Sequence, residues 1–216
     1  MAEGAALLRL LAWLSPAFPT GGFAWSHGIE WAVEAGDLRD AATLRDWVED
    51  LLREGAGRTD AILLRHAHAA HADPAALAGV AAFGRAAQPA RERLAETVQQ
   101  GEAFCRAARA WGMAPHPGMP YPVAVGALAG EHAIDVEATC AGYLQALAAT
   151  LISAAVRLIP LGQSAGLAVL AGLEPVLLEV AAISRGAALE EIASTAFRAD
   201  LAAMRHETQY TRLFRS

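Results

Sequence analysis

The chain has 216 residues, a net charge of −6 and a pI near 5.6, with 55% hydrophobic but only 6% aromatic residues. That length suits one domain with a sizeable core, and the acidic balance excludes the clustered positive charge of nucleic-acid binding. All 17 of the Lys+Arg positions are arginine; without lysine the chain can be neither a Walker-type NTPase nor a Schiff-base enzyme.

An alanine-rich composition with few β-branched runs favours helix throughout. Ala5–Leu14 reads as a first helix ended by Ser15-Pro16, and Pro16–Gly22 as a loop punctuated by Pro and Gly. Helix resumes over Phe23–Ala35, with Gly36 just past its end. Asp40 can cap a helix running to Glu54, stopped by Gly55-Ala56-Gly57. Thr59 can cap the next, and Asp73-Pro74 supplies an N-cap followed by proline. A long helix is expected from Pro89 to Ala110, then a Pro-rich loop over 115–122 and a short helix to Gly130. Asp135 caps a helix that contains Ala138–Val156, a run with no charged residue. The run holds Thr139, Gly142, Gln145, Thr150 and Ser153, and its seam of Cys140, Leu144, Leu147, Leu151, Ala154 and Leu158 fits the central helix of a bundle better than a membrane span. Pro160 ends that helix, Pro175 starts another, and the last ends near His206. The expected fold is all-α, a single-domain bundle of roughly eight to ten helices over residues 1–216, with 208–216 as a C-terminal docking tail.

Several motifs resemble active sites and fail on spacing or context. Ala24-Trp25-Ser26-His27-Gly28 has the outline of a nucleophile elbow, but Pro19-Thr20-Gly21-Gly22 cannot form the strand that an elbow needs. His206-Glu207 lacks the second histidine of a zincin, since Tyr210 stands four positions on; the two are expected to bond each other and fix where the tail turns away. His66, His68 and His71 with Asp73 form a metal-like cluster, yet helical rotation puts His66 and His68 on different faces and assigns them to a solvated surface. His68 and His71 alone share a face and are weak candidates for a passing nickel contact. Cys105 and Cys140 form no Cys-x-x-Cys pair and read as buried, reduced thiols. The N-terminus lacks the basic region of a signal peptide, so a cytoplasmic location is expected. No catalytic residue and no cofactor is assigned.

Residues 204–216, Met-Arg-His-Glu-Thr-Gln-Tyr-Thr-Arg-Leu-Phe-Arg-Ser, carry the side chains that dominate protein–protein hot spots. Together with Leu14–Gly36 they resemble the urease accessory protein UreF family, which has a Pro-x-Gly-aromatic turn, an aromatic-Ser-x-Gly-Leu-Glu helix start and a Met-Arg-His-Glu-Thr-x-Tyr-Ser-Arg-Leu-Phe-Arg-Ser end. Tyr121-Pro122-Val123 and the run from Ala154 to Gln163 also fit, in the expected order. The departures are small: Thr211 for Ser and Ile29 for Leu.

The resemblance implies a non-catalytic scaffold and homodimer for nickel insertion into apo-urease. It would bridge a UreD-type (or UreH-type) accessory protein and the UreG GTPase, with nickel passing in transit. The expected partner-binding residues are Glu30, Arg205, His206, Glu207, Tyr210, Arg212, Leu213, Phe214 and Arg215. The tail from Thr208 is expected to be mobile until a partner binds, or else to pack back on its own bundle. On the residues alone, a helical metal-dependent hydrolase and a helical adaptor unrelated to urease stay open.

Overall fold

Three of the helices begin where an aspartate accepts their first free N–H groups. The computed structural model describes residues 2–114 and 116–216; Met1 and Pro115, the latter in the predicted Pro-rich loop, lie outside them. In chain order the helices are α1 (Ala2–Trp13), α2 (Ile29–Glu34), α3 (Ala41–Glu54), α4 (Ala56–Ala69), α5 (Pro74–Ala86), α6 (Arg91–Ala107), α7 (Tyr121–Glu131), α8 (Val136–Val156), α9 (Gln163–Gly172), α10 (Glu174–Ile183) and α11 (Phe197–His206), with no strand among the described residues. Asp40 accepts from Thr43 N–H at the start of α3, Asp73 from Ala75 and Ala76 at α5, and Asp135 from Ala138 at α8.

The all-α expectation holds, with local corrections. The helix expected over Phe23–Ala35 breaks into a 3-10 turn at Gly22–Ala24 and α2, because His27 (φ 60°) and Gly28 (φ 79°) both adopt left-handed backbone. Gly28 is required there: a Cβ would stand 2.7 Å from the Ala203 nitrogen of α11, which packs against α2. Thr59 does not cap α4 but lies buried within it, since α4 begins directly at Ala56. α8 ends at Val156, before Pro160.

α4 and α8 run through the middle of the bundle. α8 packs on α3, α4, α7, α9 and α10, and half of its most apolar stretch is buried inside the protein. It is the one described helix long and apolar enough to cross a membrane by length and composition. α4 lies close against α7, where Gly126 and Gly130 face the backbone carbonyls of Leu64 and His68. Arg65 of α4 clamps the two neighbours: it donates to both oxygens of Glu137 on α8 (2.7 and 2.8 Å) and to the Ala181 carbonyl on α10 (2.6 Å). Hydrogen bonds from Arg65 and Arg185 hold the Glu137 carboxyl down at about 2. Trp13, Ile29, Leu44, Leu52, Leu64, Phe104, Leu128 and Leu144 fill the core. Cys105 and Cys140 are free and buried, and burial pushes both thiols up to about 11.

Candidate functional site

The C-terminal segment does not hang free. It lies along Ala24–Ser26, with Arg215 N–H donating to the Ala24 carbonyl and Ser26 N–H to the Ser216 carbonyl, each at 2.9 Å. Phe214 and Ser216 are buried, at 4% and 0% exposure. The expectation of a tail mobile until bound is therefore replaced by a tail packed on its own bundle. Its backbone donors and its large apolar ring find partners there, and each would otherwise be left in water.

Glu30, in the first turn of α2, forms the centre of the latch. Its carboxylate accepts from the consecutive N–H groups of Leu213 (2.6 Å) and Phe214 (2.9 Å) and faces His206 Nε2 at 3.1 Å. The other ring nitrogen of His206 faces Glu92 of α6 at 2.7 Å, and Glu92 also receives Arg212 Nη1 at 2.8 Å. His206 and Glu207 do not bond each other as expected. Glu207 instead accepts from Arg91 N–H (2.8 Å) and Glu92 N–H (3.4 Å), so the residue that closes α11 caps the start of α6.

A second buried group lies beneath. Ser216 Oγ donates to Glu96 Oε2 at 2.9 Å and accepts from His27 N–H at 3.2 Å, while Arg93 forms an ion pair with the same carboxylate. Burial pushes the Glu96 carboxyl up, but the Arg93 guanidinium, paired with it, and the neighbouring His27 outweigh burial and hold the group at about 2. Burial and the Arg93 charge lower the His27 pKa. Two cation–π contacts close the segment from outside: Arg157 over Phe214 at 4.3 Å and Arg215 over Trp25 at 4.4 Å.

The expected site residues thus divide. Glu30, His206, Glu207 and Phe214 are brought together inside the latch. Tyr210 is fully exposed, and Arg205, Arg212, Leu213 and Arg215 are also on the surface. Beside them Phe197, Leu201 and Met204 form an exposed stripe along α11 at helical spacing. A groove of about 650 Å3 runs along this face, lined by Trp31, Phe197, Leu201 and Tyr210 with Glu34, Asp37, Arg198 and Arg205. Sequence reasoning missed Ser26, His27, Glu92, Arg93, Glu96 and Ser216 as members of the latch. Glu92, Glu96 and Gln100, four apart on α6, share one face and were the available signal.

The histidine cluster is not a solvated surface. His66 bonds the Ala187 carbonyl (2.9 Å), His68 that of Ile134 (2.8 Å) and His71 that of His68 (2.8 Å), all part-buried. The His68 and His71 rings stand 6.4 Å apart and each serves the backbone. Among the described residues no group of three or more His, Cys, Asp or Glu side chains is placed to hold a metal ion.

The UreF family model matches residues 38–174. A protein named "Urease accessory protein UreF" from Cereibacter sphaeroides (strain KD131 / KCTC 12085) is 54% identical over 212 residues, covering 98% of this chain and 99% of that one. The chain belongs to the UreF family. Relatives of the same name from Bradyrhizobium sp. (strain ORS 278), 52% identical, and Rhodopseudomonas palustris (strain BisA53), 50% identical, each span all of this chain and cover 94% and 95% of their own length. The match thus extends beyond residues 38–174 to both halves of the UreF latch, the Ser26–Glu30 turn and the C-terminal segment.

Proposed function

We propose that this UreF-family chain is a non-catalytic maturation factor in nickel insertion into apo-urease. It acts in the cytoplasm as a homodimer and bridges a UreD-type (or UreH-type) accessory protein and the UreG GTPase. The C-terminal face is the docking surface for the UreD-type partner, and nickel passes in transit rather than residing on this chain. The observation that carries this reading is the division of the tail: Glu30 and Ser26 hold its backbone rigidly, while Tyr210 and Leu213 (67% exposed) are presented outward beside Arg212 and Arg215. Rigid presentation of aromatic, leucine and arginine side chains lowers the entropy lost on docking and supplies hot-spot chemistry. The absence of lysine supports recruitment of a separate GTPase.

Tyr210→Ala and Leu213→Ala test the assignment, because neither side chain contributes to the core. Each is expected to weaken capture of the UreD-type partner by roughly tenfold or more, about 1.4 kcal/mol or above, while the melting temperature of the isolated protein stays within about 2 °C. Unchanged partner affinity in both variants would place the docking surface elsewhere.

A further inference from the structure

His206, the last residue of α11, is fully buried, and both of its ring nitrogens face carboxylates. Nε2 stands 3.1 Å from Glu30 Oε2 on α2, and Nδ1 stands 2.7 Å from Glu92 Oε2 on α6. Both are hydrogen-bond distances. A neutral imidazole has one donor and one acceptor, and an ionised carboxylate can only accept. A neutral ring would therefore set a nitrogen lone pair against a carboxylate oxygen, in the interior, where water does not screen the repulsion.

The second proton has no better place than the ring. Glu30 Oε1 already accepts from Leu213 N–H, and Oε2 from Phe214 N–H. Glu92 Oε1 accepts from Arg212 Nη1, so a proton moved onto Glu92 would leave that guanidinium without its counter-charge. With the ring doubly protonated the charges balance: two carboxylates meet the imidazolium and Arg212. Among the described residues no other carboxylate pairs with the ring. Glu207 turns to the start of α6 and pairs with Arg91, Glu34 of α2 is held by Gln209, and Asp200 of α11 by Ser194. Arg205 lines the outer groove, and His27, Arg93 and Glu96 form the separate group beneath. We propose that His206 is a proton-operated fastening of the C-terminal segment: doubly protonated, it ties the end of α11 to α2 and α6 at once, and when its proton passes to water the segment loosens. The sign follows from the contacts. Deprotonation removes one of the two bonds and leaves two carboxylates facing one arginine, so the latch weakens as pH rises through the range in which histidines titrate.

Nitrogen-15 NMR of the full chain reads the ring directly. At neutral pH both His206 nitrogens are expected to carry a proton; a single protonated nitrogen overturns the proposal. Hydrogen exchange reads the consequence. Protection of the Leu213 and Phe214 amides, corrected for the intrinsic dependence of exchange on pH, is expected to fall roughly tenfold or more between about pH 6 and about pH 9, while amides of α4 and α8 keep theirs. Glu92→Gln is expected to flatten that response, because the glutamine amide can donate to an unprotonated Nδ1. Protection that is constant with pH in the parent chain, or an identical fall in the variant, overturns the proposal, and both parent-chain measurements stand whether or not the variant folds.

Discussion

Asp60 is buried in the bundle, and burial pushes its carboxyl up to about 6, against the opposing effects of the Tyr143 hydroxyl and the Arg93 charge. From an ordinary value of 3.8, this carboxyl holds its proton more tightly in the folded chain. Its contribution to stability is therefore greatest below about pH 4 and is lost as pH rises through 6. Asp60→Asn keeps an acceptor for Tyr143 and removes the titration. Urea unfolding across the pH range is expected to show a flatter profile between pH 4 and 6, and above pH 6 a variant more stable than the parent by on the order of 1–3 kcal/mol. A profile parallel to the parent's would assign the slope to another group. Glu96 has the opposite sign: held at about 2, it contributes stability above its ordinary 4.5 that is lost as pH falls toward 2. That acid limb is expected to survive in D60N.

Between elements, the close approach of α4 and α7 rests on two glycines four residues apart. A Cβ at Gly126 would run into the Leu64 carbonyl oxygen, and one at Gly130 would stand 2.6 Å from that of His68. The obstacle is backbone within a helix, which cannot turn aside as a side chain can. Gly126→Ala is expected to lower stability by about 2–4 kcal/mol despite its better helix propensity, read as a lower urea midpoint; a more stable variant would mean that the two helices separate freely. Much of this level is legible in the sequence. Asp40, Asp73 and Asp135 announce helix starts through chemistry local to a few residues, and the α8 seam repeats its period. The break before α2 is not legible, because His27 adopts left-handed backbone only where α11 and Ser216 hold it. Helical phase alone assigns the histidines of α4 to a solvated face, because their carbonyl partners, Ala187 and Ile134, lie on other segments. Glu30 and the tail each stood out as residue types, but their pairing spans 183 and 184 positions of sequence, a separation no local pattern encodes.

For the molecule as a whole, the latch ties one end of the chain to the other through α6. Glu30→Ala is expected to cost about 2–4 kcal/mol, because two backbone donors lose a charged acceptor. Hydrogen exchange should then rise sharply at the Leu213 and Phe214 amides while the α4 and α8 amides stay protected. Equal loosening everywhere would mean that the tail is inseparable from the core. The capping of α6 by Glu207 has a consequence for synthesis. A ribosome delivers α2 and α6 to solution well before residues 205–216 emerge, so the nascent bundle waits with the first N–H groups of α6 uncapped and the Ser26–Glu30 turn uncovered. Chains released early would keep that turn open to proteases, and the cell would clear them in preference to finished copies.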